Sequence, residues 1–136
     1  MPFEVITGRL ASDLVKFAKL EENHSVLDLG CETGVVAITA TPYCSKIAGL
    51  DLSPALLEQA IRNLEIAGFD ISFPEGDAED LPYDNETFDV VVSQFGHMFV
   101  PRPEIITAAM ARVSKPGGTF AFSTCRQRCI PVKYYR

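Results

Sequence analysis

The sequence predicts one α/β domain built on an open, doubly wound and mostly parallel sheet. Short apolar runs alternate with amphipathic helical stripes along the whole chain, which is the pattern of α/β folding. The length of 136 residues suits one domain on a prior of ~150 residues per domain. Right-handed crossovers through the helices place the ligand crevice beyond the carboxyl ends of the strands.

Five strands are expected from the apolar runs. They are Ser25–Leu29, Lys46–Leu50, Ile71–Phe73, Phe88–Ser93 and Thr119–Ser123. The fourth contains three consecutive valines, Val90–Val92, which indicates a strand that is buried on both faces. We therefore expect this strand in the centre of the sheet.

Four helices are expected between and before the strands. The first carries an apolar stripe of Leu10, Leu14, Phe17 and Ala18 and ends near Glu21–His24, and the second is Val35–Thr39, stopped by Pro42. The third has Ser53 as N-cap, Pro54 at its first position and Gly68 as its stop. Its predicted inner face is Leu56, Leu57, Ala60, Ile61 and Leu64. The fourth runs from Pro103 to Pro116–Gly118, with Ile105, Ile106, Ala109, Met110 and Val113 facing inward.

Charge separates the chain into an acidic body and a basic end. All 18 acidic residues lie at or before Glu104, so residues 1–125 carry a net charge of −10 and the last 11 residues carry +4. We expect a domain over 1–125 and a basic C-terminal tail over 126–136. Because so acidic a body repels polyphosphate, nucleic acid is disfavoured as a partner.

Location and redox state are predicted from what the sequence does not contain. The apolar runs are far shorter than the ~20 residues of a membrane span, and Met1–Lys19 lacks the layout of a signal peptide. The four cysteines match neither a dense disulfide framework nor a zinc site. We therefore expect a cytoplasmic protein with reduced thiols, no membrane partner and no metal.

Acidic residues and glycines follow the predicted strands where a ligand crevice is expected. The first strand runs into Asp28-Leu29-Gly30-Cys31-Glu32-Thr33-Gly34, a turn in which backbone can approach a ligand closely. Asp51 ends the second strand, 21 residues beyond Gly30, and can accept two hydrogen bonds from a ribose diol. Asp77 lies in the next acidic loop and can accept the exocyclic amine of adenine. The pattern therefore favours a ligand that contains adenosine.

With these motifs the chain resembles the class I S-adenosylmethionine-dependent methyltransferases, in the set that includes the ubiquinone and menaquinone biosynthesis enzymes. The resemblance covers Ile6–Leu10, the Asp28 turn, Gly49–Ser53, Gly76–Pro82, Phe88–Ser93 and Arg112–Gly118. It implies a Rossmann-like sheet and S-adenosylmethionine as cofactor. It also implies a set of cofactor-binding residues, namely Asp28, Gly30, Cys31, Glu32, Gly34, Asp51, Leu52, Asp77, Ala78 and Ser93. Among these, Gly30 and Gly34 would shape the loop around the methionine moiety.

The sequence departs from this family in two ways. Glu32 stands where the family has glycine, so we expect weakened cofactor binding. Either its charge repels the cofactor carboxylate or its backbone is strained. The chain also stops after the fifth predicted strand, so the sheet is expected to lack its last strands. Thr119–Ser123 would then need cover from the tail, a partner or a second copy in a homo-oligomer.

The sequence predicts methyl transfer to a small-molecule acceptor. His97 is the candidate general base, although a packing role for this loop histidine is about twice as common. The alternative is a degenerate domain that binds the cofactor or a partner without turnover. A nicotinamide-dependent oxidoreductase is the weaker alternative, because Glu32 and Val35 occupy glycine positions of its fingerprint.

Overall fold

The computed structural model describes residues 3–95, 100–126 and 128–135, with side chains for 7–95 and 100–123. The helices are α1 (Phe3–Ala18), α2 (Val35–Ala40), α3 (Pro54–Ala67) and α4 (Pro103–Val113). The strands are β1 (Ser25–Leu29), β2 (Lys46–Leu50), β3 (Phe88–Gln94), β4 (Ser114–Arg126) and β5 (Arg128–Tyr135). None of the helices among these described residues has the length and apolar composition of a membrane-spanning segment.

The strands form one sheet in the order β2-β1-β3-β4-β5. The first four are parallel, and β5 pairs antiparallel with β4. The chain moves outward from β1 to β2 and then returns to β3 on the other side of β1. This reversal opens a crevice at the carboxyl end of β1. The doubly wound, mostly parallel sheet expected from the sequence is confirmed.

The central strand β3 is buried on both faces, as its valines predict. Val90 and Val92 belong to a core formed with α1 and α2, whereas Val91 belongs to the core under α4. This alternation follows from the two-residue period of a strand. The local signals of α3 are also confirmed, because the Ser53 side chain accepts from Leu56 N and Gly68 ends the helix with a left-handed backbone.

Three predicted inner positions of the helices are more exposed than expected. Phe17 of α1 is 38% exposed, and Leu56 and Ile61 of α3 are 36% and 45% exposed. The buried stripe of α3 is narrower than expected and consists of Leu57, Ala60 and Leu64. These three residues pack in a small cluster with Cys31, Ala37 and Phe73, and Leu56 and Ile61 lie on the two flanks of that contact.

The predicted strand Ile71–Phe73 does not form a continuous ladder with β2, and this part of the chain makes two isolated bridges, the second of them beyond Phe73. Ser72 pairs with Ala48, and Glu75 pairs with Asp51. Pro74 lies between them and has no N–H to donate, so a continuous ladder is interrupted. The segment still matters for the site, because it brings Gly76 and Asp77 beside the end of β2.

Phe73 fills the space over Gly49 of β2. A Cβ at Gly49 would lie 2.1 Å and 2.2 Å from two ring carbons of Phe73, which is itself buried. We expect Gly49→Ala to displace the ring and to lower the free energy of unfolding by ~1–3 kcal/mol. Urea unfolding measures the change.

Gly8→Ala is the matched control, because a Cβ at Gly8 of α1 would meet nothing within 4 Å. That substitution should leave stability unchanged or raise it by up to ~1 kcal/mol, since alanine is the better helix former. Equal effects of the two substitutions would refute the proposed role of the Phe73 ring.

The C-terminal segment forms β5, which pairs with the outer edge of β4. β4 begins at Ser114 rather than Thr119, and residues 128–135 of the expected tail pair with it from Thr119↔Tyr135 to Arg126↔Arg128. Of the three covers that the sequence allows for Thr119–Ser123, the structure contains the first, because residues of the C-terminal tail pair with this edge. Self-association through that edge loses its physical basis, because the hydrogen-bonding groups of β4 are occupied on both sides.

Candidate functional site

A cavity of about 550 Å³ lies at the carboxyl ends of β1 and β2. This volume is within the range of small-molecule sites, about 300–1,000 Å³. Three chain segments and the start of α4 form its walls. The lining residues are Gly30, Glu32, Leu50, Asp51, Leu52, Leu56, Gly76, Asp77, Ala78, Glu79, Val100, Pro101, Arg102 and Ile106.

Asp51 is held at the wall of this cavity by two backbone N–H groups. Glu32 N donates to its Oδ2 at 2.9 Å, and Ser53 N donates to its Oδ1 at 2.9 Å. The carboxylate is partly exposed. Since an ionised carboxylate has about four acceptor positions, each oxygen keeps capacity for one more donor. The side chain is thus oriented in advance to accept two hydroxyl groups.

The turn from Gly30 to Gly34 is fixed at both ends. Gly30 N and Cys31 N donate to Leu50 O at 2.8 Å and 3.0 Å, and Gly34 N donates to Cys31 O at 2.8 Å. Gly30 and Gly34 have φ values of +70° and +80°, which glycine adopts without strain. These hydrogen bonds tie the turn to the end of β2.

Glu32 occupies this same turn with φ +49°. A side chain in that region costs roughly 1–2 kcal/mol. Residue 32 is half buried and lines the cavity, and its carboxylate lies near enough to that of Asp51 for the two charges to interact. Burial, followed by the nearby Asp51 carboxylate, raises the pKa of Glu32. From the sequence, backbone strain and charge repulsion were alternative reasons for weakened cofactor binding at Glu32. The structure contains both a positive φ and a carboxylate at the cavity.

Asp28 lies beneath the cavity and is 1% exposed. Its Oδ2 accepts from Ala37 N at 3.1 Å, whereas its buried Oδ1 has no hydrogen-bond partner among the described residues. Burial is the main cause that raises the pKa of Asp28 to about 7, with smaller contributions from the charges of Glu32 and Asp51. Asp28 is therefore a buried carboxyl group that titrates near neutrality.

The loop after Glu75 supplies the opposite wall. Asp77 Oδ1 accepts from Glu79 N at 2.9 Å, which orders the loop around Ala78. Glu79 forms an ion pair with Arg102, in which Nε donates to Oε1 at 3.2 Å and Nη2 donates to Oε2. This pair joins the loop to the start of α4 and closes the cavity on that side.

The structure separates the sequence-predicted residues into two groups. Six of them line the cavity, namely Gly30, Glu32, Asp51, Leu52, Asp77 and Ala78. Asp28, Cys31, Gly34 and Ser93 lie outside its lining, and all four are buried. Burial is the main cause that raises the pKa of the Cys31 thiol, which stays protonated. His97, the candidate base, lies outside the described residues.

Several lining residues were not predicted from the sequence. Leu50 and Gly76 belong to motifs that were recognised, but only their neighbours were assigned. Val100, Pro101, Arg102 and Ile106 come from the segment that enters α4, where no motif marks a site. Arg102 could not have been predicted from a local pattern, because it pairs with Glu79, which lies 23 positions away in the sequence.

The sequence was compared with models of known protein families. A family model described as a methyltransferase domain matches residues 27–122. The chain belongs to this methyltransferase family. The resemblance to class I S-adenosylmethionine-dependent methyltransferases that the motifs carry is thereby confirmed.

Individual relatives extend this assignment. An uncharacterised protein of Mycobacterium tuberculosis is 33% identical over 115 residues, which cover 85% of this chain and 42% of that protein. A phthiotriol/phenolphthiotriol dimycocerosates methyltransferase of Mycobacterium leprae is 35% identical over 104 residues, 74% of this chain and 37% of that protein. The structure of the Bacillus subtilis YcgJ protein superposes with a TM-score of 0.81 at 26% identity, covering 85% of this chain and 50% of that one. The chain thus spans half or less of the length of these relatives.

Proposed function

We propose that this methyltransferase domain binds S-adenosylmethionine in the cavity and transfers its methyl group to a small-molecule acceptor. The observation that carries the proposal is the carboxylate of Asp51, fixed by Glu32 N and Ser53 N at the cavity wall. Ribose presents two adjacent hydroxyl donors, which match the two oxygens that remain available to accept. A nucleoside ligand explains why a carboxylate is held there.

The residues around Asp51 suit the remaining parts of such a cofactor. Asp77 and Ala78 line the wall on the outer side of β2, where an acceptor for the adenine amine and an apolar contact are needed. Leu50, Leu52 and Ile106 offer further apolar surface for the ring. On the other side of Asp51, the turn of Gly30 provides close backbone approach for the methionine end.

The cofactor supplies a methyl group already activated by its sulfonium. The protein then contributes by aligning the acceptor and excluding water, which accounts for much of the acceleration in such a transfer. Ser93, buried at the end of β3 with no partner for its Oγ among the described residues, would border the reacting centre. His97 is kept as the proposed general base for an acceptor that must lose a proton.

S-Adenosylhomocysteine should raise the melting temperature by several degrees, whereas NADH should not. A ligand at about a hundred times its Kd stabilises the folded state by ~2.7 kcal/mol. NADH adds two phosphates, which the carboxylates of Glu32, Asp51 and Asp77 would repel. Thermal melting with each ligand, followed by calorimetry with S-adenosylhomocysteine, makes the measurement. A larger shift with NADH would overturn the assignment of the cavity.

The strained Glu32 favours one alternative function, a domain that binds the cofactor without turnover. Its carboxylate occupies the cavity where the family has glycine. Calorimetry and a methyl-transfer assay against a panel of small acceptors distinguish the two. Binding without transfer to any acceptor would favour the alternative, and transfer to one acceptor would exclude it.

A further inference from the structure

The cavity wall is more acidic than a site for an uncharged nucleoside requires. Its described lining contains four carboxylates and one guanidinium. Arg102 is committed to Glu79 through two hydrogen bonds. The carboxylates of Glu32, Asp51 and Asp77 therefore face the cavity without a salt bridge in the part of the chain that the structure describes. A ligand with net positive charge gains from this field, and an anionic ligand loses.

Glu32 contributes charge at one end of the cavity. The turn that carries it is tied to β2 through Gly30 N and Cys31 N, and its own N–H is bonded to Asp51. These bonds hold the backbone of residue 32, and its half-buried side chain lines the cavity. The backbone that carries the carboxylate is therefore held in place at the end of β2.

The order of the wall residues decides which part of the ligand meets Glu32. Glu75 is bridged to Asp51 on the outer side of β2, so Asp77 and Ala78 lie on that side. β1 lies on the inner side of β2, so Gly30 and Glu32 lie there. With ribose on Asp51 and adenine beside Asp77, the chain attached to the ribose 5′ carbon extends toward Glu32. That chain carries the sulfonium, the ammonium and the carboxylate of S-adenosylmethionine.

We infer that Glu32 makes this site select adenosyl sulfonium ligands whose side chain ends in an ammonium group and lacks a carboxylate. The inference rests on the proposed function, because it needs the adenosine to be held by Asp51. The ammonium and sulfonium of such a ligand are attracted by Glu32, and the repulsion between two carboxylates is absent. Decarboxylated S-adenosylmethionine, which is adenosine bearing a methylated aminopropyl sulfonium, has this chemistry.

Calorimetry near pH 8 with S-adenosylmethionine and its decarboxylated form tests the inference. For the parent protein, the decarboxylated ligand should bind about tenfold more tightly, which corresponds to about 1.4 kcal/mol. In Glu32→Gln the ratio of the two dissociation constants should approach one, because the side-chain length is kept and the charge is lost. The preference of the parent should also shrink at high salt.

Glu32→Gly separates backbone strain from charge. Glycine removes the penalty of φ +49° as well as the carboxylate. It should bind S-adenosylmethionine roughly tenfold more tightly than the parent does. If strain contributes, glycine should also improve the binding of both ligands relative to Glu32→Gln. Equal affinities in the glycine and glutamine variants would assign the whole effect to charge.

Glu65→Gln is the matched control, because Glu65 is exposed on α3 and does not line the cavity. It should keep the ligand preference of the parent. A parent that binds both ligands equally, or a preference that survives in Glu32→Gln, would overturn the inference and leave the proposed function standing. If neither sulfonium ligand nor S-adenosylhomocysteine binds at all, the proposed function fails together with it.

Discussion

Replacing Asp28 by asparagine should remove a loss of stability that the parent protein undergoes as the pH rises toward neutrality. The carboxyl group is buried, and its pKa is raised from the ordinary value of 3.8 to about 7 in the folded protein. Below both values the group is protonated in the folded and the unfolded chain, so it costs nothing. Between them the unfolded chain releases the proton first, and the folded state loses stability.

The size of this effect follows from the displacement of the pKa. The pKa is raised by about three units, and each unit corresponds to 1.36 kcal/mol. Above pH 7 the ionised Asp28 therefore lowers the free energy of unfolding by roughly 4 kcal/mol. Between about pH 5 and pH 8 the parent should lose roughly 2–3 kcal/mol through this one group. The asparagine variant has no charge to bury and should not show this loss.

Urea unfolding of the parent and Asp28→Asn at both pH values measures the difference. Asparagine keeps an oxygen that accepts from Ala37 N, but it places an amide N–H₂ where Oδ1 has no partner. That penalty does not depend on pH, so the change of the difference with pH is the diagnostic quantity. Asp13→Asn on the exposed face of α1 is the control. A difference that stays constant between the two pH values would show that Asp28 does not titrate in this range.

The helix ends and strands of this protein that depend on residues close together in the sequence could be predicted. Ser53, Pro54 and Gly68 delimit α3 through contacts within a few residues. The three valines of β3 specify a strand buried on both faces without reference to its neighbours. The acids that end β1 and β2 could be assigned to one crevice because parallel strands bring their carboxyl ends to one edge.

Features that depend on contacts between distant segments could not be predicted. The ring of Phe73 covers Gly49 of β2, and the segment around this ring forms two isolated bridges where a strand was predicted. Arg102 lines the cavity and pairs with Glu79, which lies 23 positions earlier in the chain. β5 covers β4 because residues 128–135 fold back on it, whereas the sequence offered the tail, a partner or a second copy for this role. Each of these three features depends on a contact between segments that are far apart in the chain. Such contacts cannot be predicted from the pattern of a single sequence.

For Glu32, the sequence showed the unusual residue but could not show which of its two effects is present. Its replacement of a family glycine was visible in the sequence, but charge and strain appeared as alternatives. The hydrogen bonds that tie the turn to β2 give residue 32 its positive φ, while the carboxylate of the same residue lines the cavity. Strain and charge therefore meet at one residue, and only variants that change them separately can divide their effects.

Asp51→Ala should weaken the binding of S-adenosylhomocysteine by ~1–3 kcal/mol, or roughly 5-fold to 150-fold in Kd. The substitution removes the acceptor for the ribose diol. It also releases Glu32 N and Ser53 N, which hold the carboxylate in place. Calorimetry measures the loss of affinity, and a thermal melt of the free variant shows whether it is folded. Asp13→Ala removes the same charge from an exposed position on α1 that does not line the cavity, and it should bind like the parent.

A ligand that lacks the ribose 2′-hydroxyl assigns this loss to the diol. The parent should bind the 2′-deoxy form of S-adenosylhomocysteine more weakly than the ribose form, because Asp51 then accepts one hydrogen bond fewer. In Asp51→Ala the two forms should bind alike, since no carboxylate distinguishes them, and the double-mutant comparison isolates the contact. Unchanged affinity of Asp51→Ala would remove this carboxylate from the site. A 2′-hydroxyl preference that persists in the variant would assign the diol to another residue.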